Sequence, residues 1–300
     1  MAKLPRYLFP SDYMADPSAN VFNGRFYIYP SHDWDAGECF DDDGGHFQMK
    51  DYHVLSWDDI ENGEVTDHGV ILDVKDVPWA EKQMWDNDCV EKDGKYYLIF
   101  SAKAYDGVFR LGVAVADKPE GPFKPMDKPI RGSFSIDPCV FKDDDGKIYT
   151  YFGGLWGGQL QWWRPLPNGL APVFGKYGDQ NGLIDLGAAP DHKGELFTQA
   201  DSPAINSCVV RMSDDVQQFA EAPRAVVVLD KDGEPMKAGD PTASLRLHGC
   251  TNTMVSTTSP TPLVTATSFV MPLVTTPTDH SAIRVSFLTP SLVGQPTTLS

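Results

Sequence analysis

One phrase occurs three times in this chain and fixes much of what it can fold into: an acidic residue, a short apolar strand, a Gly turn, then an aromatic strand. The copies are residues 16–29 (DPSANVFNGRFYIY), 88–100 (DCVEKDGKYYLIF) and 137–151 (DPCVFKDDDGKIYTY). The turn pairs Asn23-Gly24, Asp93-Gly94 and Asp145-Gly146 supply the positive φ angles that tight hairpins demand. The segments that follow, such as Lys95-Tyr96-Tyr97-Leu98-Ile99-Phe100, are rich in the aromatic and β-branched residues that strands favour. A hairpin recurring at intervals of roughly 50–70 residues predicts an all-β fold of blades about an axis, a β-propeller. Asp16, Asp88 and Asp137 head the first strands and would converge on that axis. Convergent carboxylates are what hydrolysis of a glycosidic bond requires.

Composition agrees with one large all-β domain. The 300 residues are 41% hydrophobic, and 26 Gly with 24 Pro favour many turns. A formal charge of -17 argues against nucleic acid or an anionic membrane as the main partner. No apolar run is long enough for a secretory signal or a membrane span. The five cysteines are scattered without a CxxC spacing, and Cys89 and Cys139 are read as reduced, buried thiols, so a cytoplasmic location is expected. Strands are also expected over residues 52–57 and 109–115, and residues 213–222 form the one helical candidate. The glycine-rich run 152–163 lacks phosphate-loop spacing and is read as strand and bend.

From about residue 241 the chain changes character. Residues 241–300 contain Lys, Arg, Asp and Glu only as Arg246, Arg284 and Asp279, but hold 14 Thr, 8 Ser and 7 Pro. One reading is a Ser/Thr/Pro-rich stalk. The genetic code supports another. If each codon is re-read from its last base and the first two of the next, the tail from Leu245 permits F-E-A-S-W-M-H-K-Y-N-G-K-Y-Y-F-S-Y. Some steps are forced: Met254 followed by Val255 gives only Gly, and Met271 followed by Pro272 gives only Ala. N-G-K-Y-Y-F-S-Y is a fourth copy of the turn and aromatic strand. Residues 1–240 are therefore read as the β-propeller domain and residues 241–300 as its frameshifted continuation.

Met14-Ala15-Asp16-Pro17, Trp85 with Asp88, and Ser135-Ile136-Asp137-Pro138, in this order and spacing, resemble glycoside hydrolase family 43, the β-xylosidase and α-L-arabinofuranosidase family. The resemblance implies a five-bladed propeller and an inverting, three-carboxylate mechanism. Asp16 would be the general base, Asp137 would tune the pKa of the acid and orient it, and a Glu would be the general acid. The base and acid carboxyls should then stand roughly 6.5–9.5 Å apart. The codon for that Glu straddles Leu245 and Arg246, so the translated chain lacks it. The expected partners are xylo-oligosaccharides or arabinose-substituted oligosaccharides. No cofactor is needed for the chemistry, and a structural Ca2+ in the central channel is implied, its axial His falling in the shifted frame near Thr297 and Thr298.

Each site residue also has a plainer reading. Asp16 and Asp137 can be strand-start carboxylates capping amides, and Asp88 divides between sugar binding and structural duty. Trp85 can be a stacking wall for a sugar or a buried core residue. His32 and Trp34 fall in a candidate pocket loop that can equally be a surface turn. The runs Asp41-Asp42-Asp43-Gly44 and Asp143-Asp144-Asp145-Gly146 lack the ligands of an EF-hand and are read as solvated turns. His46, His53 and His68 show no paired ligand spacing, so no metal ligands are expected among the site residues. The competing function class is a non-catalytic sugar-binding propeller.

Overall fold

The computed structural model describes residues 8–9, 12–35, 37, 44–59, 62–133, 135–153, 207–229 (backbone alone at 227 and 228) and 232–237. It adds the backbone of short strands between 163 and 185 and at 283–286. These residues form an all-β structure with one 3-10 turn at Val74–Asp76.

The first sheet is an antiparallel meander of β1 (Met14–Phe22), β2 (Arg25–Trp34), β3 (Gln48–Trp57) and β4 (Thr66–Asp73). The second holds β5 (Ala80–Lys82), β6 (Asn87–Lys92), β7 (Lys95–Ala104), β8 (Phe109–Ala116) and β9 (Lys124–Pro125), with β5 and β6 both pairing to β7. The third begins with β10 (Cys139–Lys142) and β11 (Ile148–Phe152). Two separate hairpins follow, β12 (Trp163–Leu166) with β13 (Gly169–Pro172) and β14 (Gly178–Gln180) with β15 (Leu183–Asp185). The third sheet then resumes with β16 (Ser207–Arg211) and β17 (Arg224–Leu229), and β18 (Ile283–Ser286) adds to its edge in parallel.

All three repeated phrases become hairpins: β1–β2, β6–β7 and β10–β11. Asn23 and Asp93 take φ of 52° with their glycines at 78° and 75°, the left-handed pair that a two-residue hairpin turn needs. The first strands lie side by side, β1 against β6 and β6 against β10. Residues 213–222 are not helical. Ser213 and Asp215 side chains hydrogen-bond to the backbone of Gln218 and Gln217, and a bridge pairs Met212 with Phe219. Short polar side chains that bond their own backbone compete with a helix in this way.

Two cores glue the sheets face to face, and period-2 alternation decides which residue enters which. Along β7, Tyr96, Leu98, Phe100 and Ala102 pack toward the first sheet, with Tyr29, Tyr52, Val54 and Trp79. Ile99 on the same strand packs toward the third, with Leu111, Val113, Ile148, Phe152 and Val210. The second sheet is thus buried on both faces. The third sheet carries a further apolar face, made by Cys139, Tyr151, Val209 and Val226. Cys89 and Cys208 are free and buried, but Cys139 is disulfide-bonded, which corrects its reading as a reduced thiol.

Candidate active site

Counting back from the turn glycines shows which residues are equivalent. Asp16 stands eight residues before Gly24, and eight before Gly94 stands Asp86, not Asp88. Asp137 stands nine before Gly146, where the turn is wider, closed by Asp143 N–H donating to Lys147 O at 2.8 Å. The residues just before these aspartates are Ala15, Trp85 and Ile136, and all three join one apolar cluster with Met49 and Phe109. Three sheets therefore deliver Asp16, Asp86 and Asp137 from a common floor.

The backbone around two of them is strained. Asp16 has φ of 47° and Asp137 φ of 57°, and each precedes a proline. A non-glycine residue in the left-handed region costs on the order of 1–3 kcal/mol, and such strain gathers at functional sites. At Asp16 the register of β1 against β2 slips between Ala15 and Ser18, a bulge that turns the chain there. Asp16 is half-buried, whereas Asp137 is 1% exposed.

Asp88 is placed differently. Asn20 Nδ2 donates to its Oδ1 at 3.0 Å, Cys89 N–H to the same oxygen at 2.8 Å, and Val140 N–H to Oδ2 at 2.8 Å. One buried carboxylate therefore staples β1, β6 and β10 together, the structural one of its two readings. Burial pushes its pKa up to about 6, against the pull of those donors.

Trp85 is 8% exposed and packed on Phe109 at 4.3 Å between ring centroids. Its Nε1 donates to Phe47 O at 3.0 Å, and its carbonyl accepts from Ser31 Oγ and Tyr52 OH at 3.0 and 2.6 Å. Gly44 passes so close that a Cβ there would lie 2.6 Å from the Trp85 ring. The indole is thus fixed beside the aspartates as a wall with little exposed surface.

His32 and Trp34 end β2, with ring centroids 4.5 Å apart. His32 is buried, with Nδ1 at 3.0 Å from Asp51 Oδ1 and Nε2 at 3.1 Å from Asp12 Oδ2. Trp34 is 43% exposed and donates from Nε1 to Asp51 Oδ2 at 3.1 Å, leaving its ring face accessible beside the Lys50 ammonium. His53 has no ligand spacing to another histidine along the chain, but the pairing of β2 with β3 sets His32 opposite Asp51, two residues from His53. That cross-strand juxtaposition has no linear spacing to announce it. Asp86, by contrast, can be found by aligning the repeats on their turns. The positions where the resemblance implies a Glu, across Leu245 and Arg246, and an axial His, near Thr297 and Thr298, lie outside the described residues.

Comparison with known proteins agrees with this geometry. Residues 12–163 match Glycosyl hydrolases family 43. A β-xylosidase of Xylanibacter ruminicola is 60% identical over 237 residues, covering 79% of this chain and 67% of its own length. A xylosidase/arabinosidase of Bacteroides ovatus is 52% identical, covering 78% of this chain and 65% of the relative. The crystal structure of a β-xylosidase/α-arabinofuranosidase from a compost microbial metagenome, in a calcium-free complex with xylotriose, matches with a TM-score of 0.67 and 52% identity, covering 78% of this chain and 64% of that one. The chain thus spans about two thirds of the length of these relatives. With its three repeats in place and its aspartates on one floor, the chain belongs to glycosyl hydrolase family 43.

Proposed function

We propose that this gene encodes an exo-acting, inverting β-xylosidase and/or α-L-arabinofuranosidase that releases pentoses from xylo-oligosaccharides or arabinose-substituted oligosaccharides. The carrying observation is the single cluster of Ala15, Trp85 and Ile136, which brings the positions of Asp16 and Asp137 to one place. The names of the relatives support the substrate class. Asp16, strained and half-buried, is the base that activates water against the anomeric carbon. Asp137, deeply buried, raises the pKa of the neighbouring acid, because a nearby negative charge disfavours ionisation. The Trp85 wall and the exposed face of Trp34 suit the apolar faces of sugars. Closure into five blades belongs to the same proposal: the third sheet buries a second apolar face, with Cys139, Tyr151, Val209 and Val226, beyond the one it shares with the second sheet, as a sheet between two neighbours does.

The acid is the missing part. A one-base shift just before Pro241 replaces the Glu and the last blades with the Thr/Ser/Pro-rich tail, so the chain as translated lacks the group that protonates the leaving oxygen. A structural Ca2+ in the central channel belongs to the same proposal and would depend on the same shifted residues. The second reading, a non-catalytic sugar-binding propeller, then describes the translated chain itself.

The test is the nucleotide sequence around codons 238–246, followed by assay of the restored gene on chromogenic β-xylosides and α-L-arabinofuranosides. An inserted or deleted base, with hydrolysis by the restored chain and loss of about 10²–10⁴-fold in kcat for Asp16→Asn, is expected. An uninterrupted frame, or full turnover by the chain as translated, overturns the reading.

A further inference from the structure

The first sheet carries a second cluster of chemistry-bearing side chains. On β3, Tyr52 and Val54 pack toward the second sheet, while Asp51 and His53 meet His32 of β2. His32 Nδ1 lies 3.0 Å and His53 Nε2 lies 3.5 Å from the same atom, Asp51 Oδ1. One donor atom from each of the three residues lies within 4.8 Å of the others. All three side chains are largely buried, at 9%, 5% and 11% exposed for His32, Asp51 and His53.

Donor counting shows how a bound cation would fit this group. The outer nitrogens also face carboxylates: His32 Nε2 stands 3.1 Å from Asp12 Oδ2, and His53 Nδ1 stands 3.2 Å from Asp67 Oδ1. A neutral imidazole has one N–H. With both rings neutral, each would aim a lone pair at a carboxylate oxygen, a conflict that a second proton on each ring or a bound cation relieves. A divalent cation removes the conflict by taking the lone pairs of His32 Nδ1 and His53 Nε2 together with Asp51 Oδ1. The outer N–H groups then donate to Asp12 and Asp67, the carboxylate support that metal-bound imidazoles ordinarily have. Trp34 Nε1, donating to Asp51 Oδ2 at 3.1 Å, leaves Oδ1 for the ion.

We propose that His32, Asp51 and His53 form a binding site for a divalent transition cation that clasps the segment bearing Asp12 to β2, β3 and β4. Two imidazoles and one carboxylate suit Zn2+, Co2+ or Ni2+, not the all-oxygen shell of Ca2+. Tetrahedral Zn2+ with bonds of this kind separates its ligands by roughly 3.4 Å, close to the two short separations here. The proposal does not depend on glycosidase activity.

Titration calorimetry of the full chain with Zn2+ alone, after chelator treatment, should show one tight site per chain. Asp67→Asn should weaken it 10–100-fold. His32→Ala combined with His53→Ala should abolish it, while His68→Ala should leave it unchanged. X-ray absorption of the Zn2+-loaded, unsubstituted chain avoids any folding defect in the variants. It should show two imidazoles bound at about 2.0–2.1 Å. Absence of tight binding, a Zn2+ spectrum without imidazole, or a site that survives the double substitution in a folded chain overturns the proposal.

Discussion

Among the single residues, Asp88 carries a pH signature within the range where the folded chain can be assayed. Burial raises its pKa from the ordinary 3.8 to about 6, so the folded chain holds that proton more tightly than the unfolded chain. The sign follows. The contribution is fully present below pH 3.8 and is lost as pH rises through 6, a difference on the order of 3 kcal/mol. Asp88→Asn removes the titration and sets its amide against one of the N–H groups of Asn20, Cys89 or Val140, a loss that does not vary with pH. In urea denaturation, the stability advantage of the unsubstituted chain over the Asp88→Asn variant should therefore narrow between about pH 4 and pH 7. A constant gap would mean that Asp88 keeps an ordinary pKa. The same residue shows where sequence reading stops. Asp88 heads an apolar strand and looks equivalent to Asp16 and Asp137, yet the residue in step with them is Asp86, because the turn and not the strand sets the register. His32, Asp51 and His53 are illegible for another reason: they meet across a strand pair whose register no local spacing records.

At the level of the element, the hairpins are legible because their turn chemistry is local. Asn-Gly and Asp-Gly favour left-handed backbone wherever they occur, and the aromatic runs beside them have no better use than strands. Residues 213–222 mislead because their side-chain hydrogen bonds, not their propensity, decide the conformation. Two glycines separate backbone from packing effects within the second sheet. Gly94 has φ of 75° and open space where a Cβ would sit, so Gly94→Ala should cost only the left-handed penalty of about 1–2 kcal/mol. Gly112 on β8 has no such φ, but a Cβ there would lie 2.5 Å from Phe100 and 2.6 Å from Trp79. Gly112→Ala must push two packed aromatic rings apart and should cost about 1–3 kcal/mol or more. Truncating Phe100 to Leu beside Gly112→Ala should recover part of that loss, and it should not rescue Gly94→Ala. Chemical denaturation of the four variants reads both effects. Equal rescue of both glycine substitutions would show that the Gly112 defect is not steric.

Across the whole molecule, the question is what the proposed frameshift would do to a sheet-by-sheet design. The first sheet packs on the second and the second on the third, so each interface buries a continuous apolar layer. The third sheet buries a further apolar layer, with Cys139, Tyr151, Val209 and Val226 and with Phe141 and Tyr149 packed against them, which in a propeller would face the next sheet. The tail from 241 has the wrong composition to supply that layer as a further repeat, since it holds no Tyr or Trp at all. Its shifted frame permits N-G-K-Y-Y-F-S-Y, the turn and aromatic strand that all three earlier units share. Restoring the frame should therefore change stability and activity together. The restored chain should bury more surface, unfold with a steeper dependence on denaturant, and melt higher than the chain as translated. It should also gain the leaving-group acid, raising turnover on an aryl β-xyloside or α-L-arabinofuranoside by at least about 10²-fold. Adding Glu→Gln at the restored acid separates the two effects: stability should stay with the restored chain while turnover falls back. If the restored chain gains neither denaturant dependence nor activity, the tail as translated is the genuine continuation and the fourth repeat is a coincidence of codons.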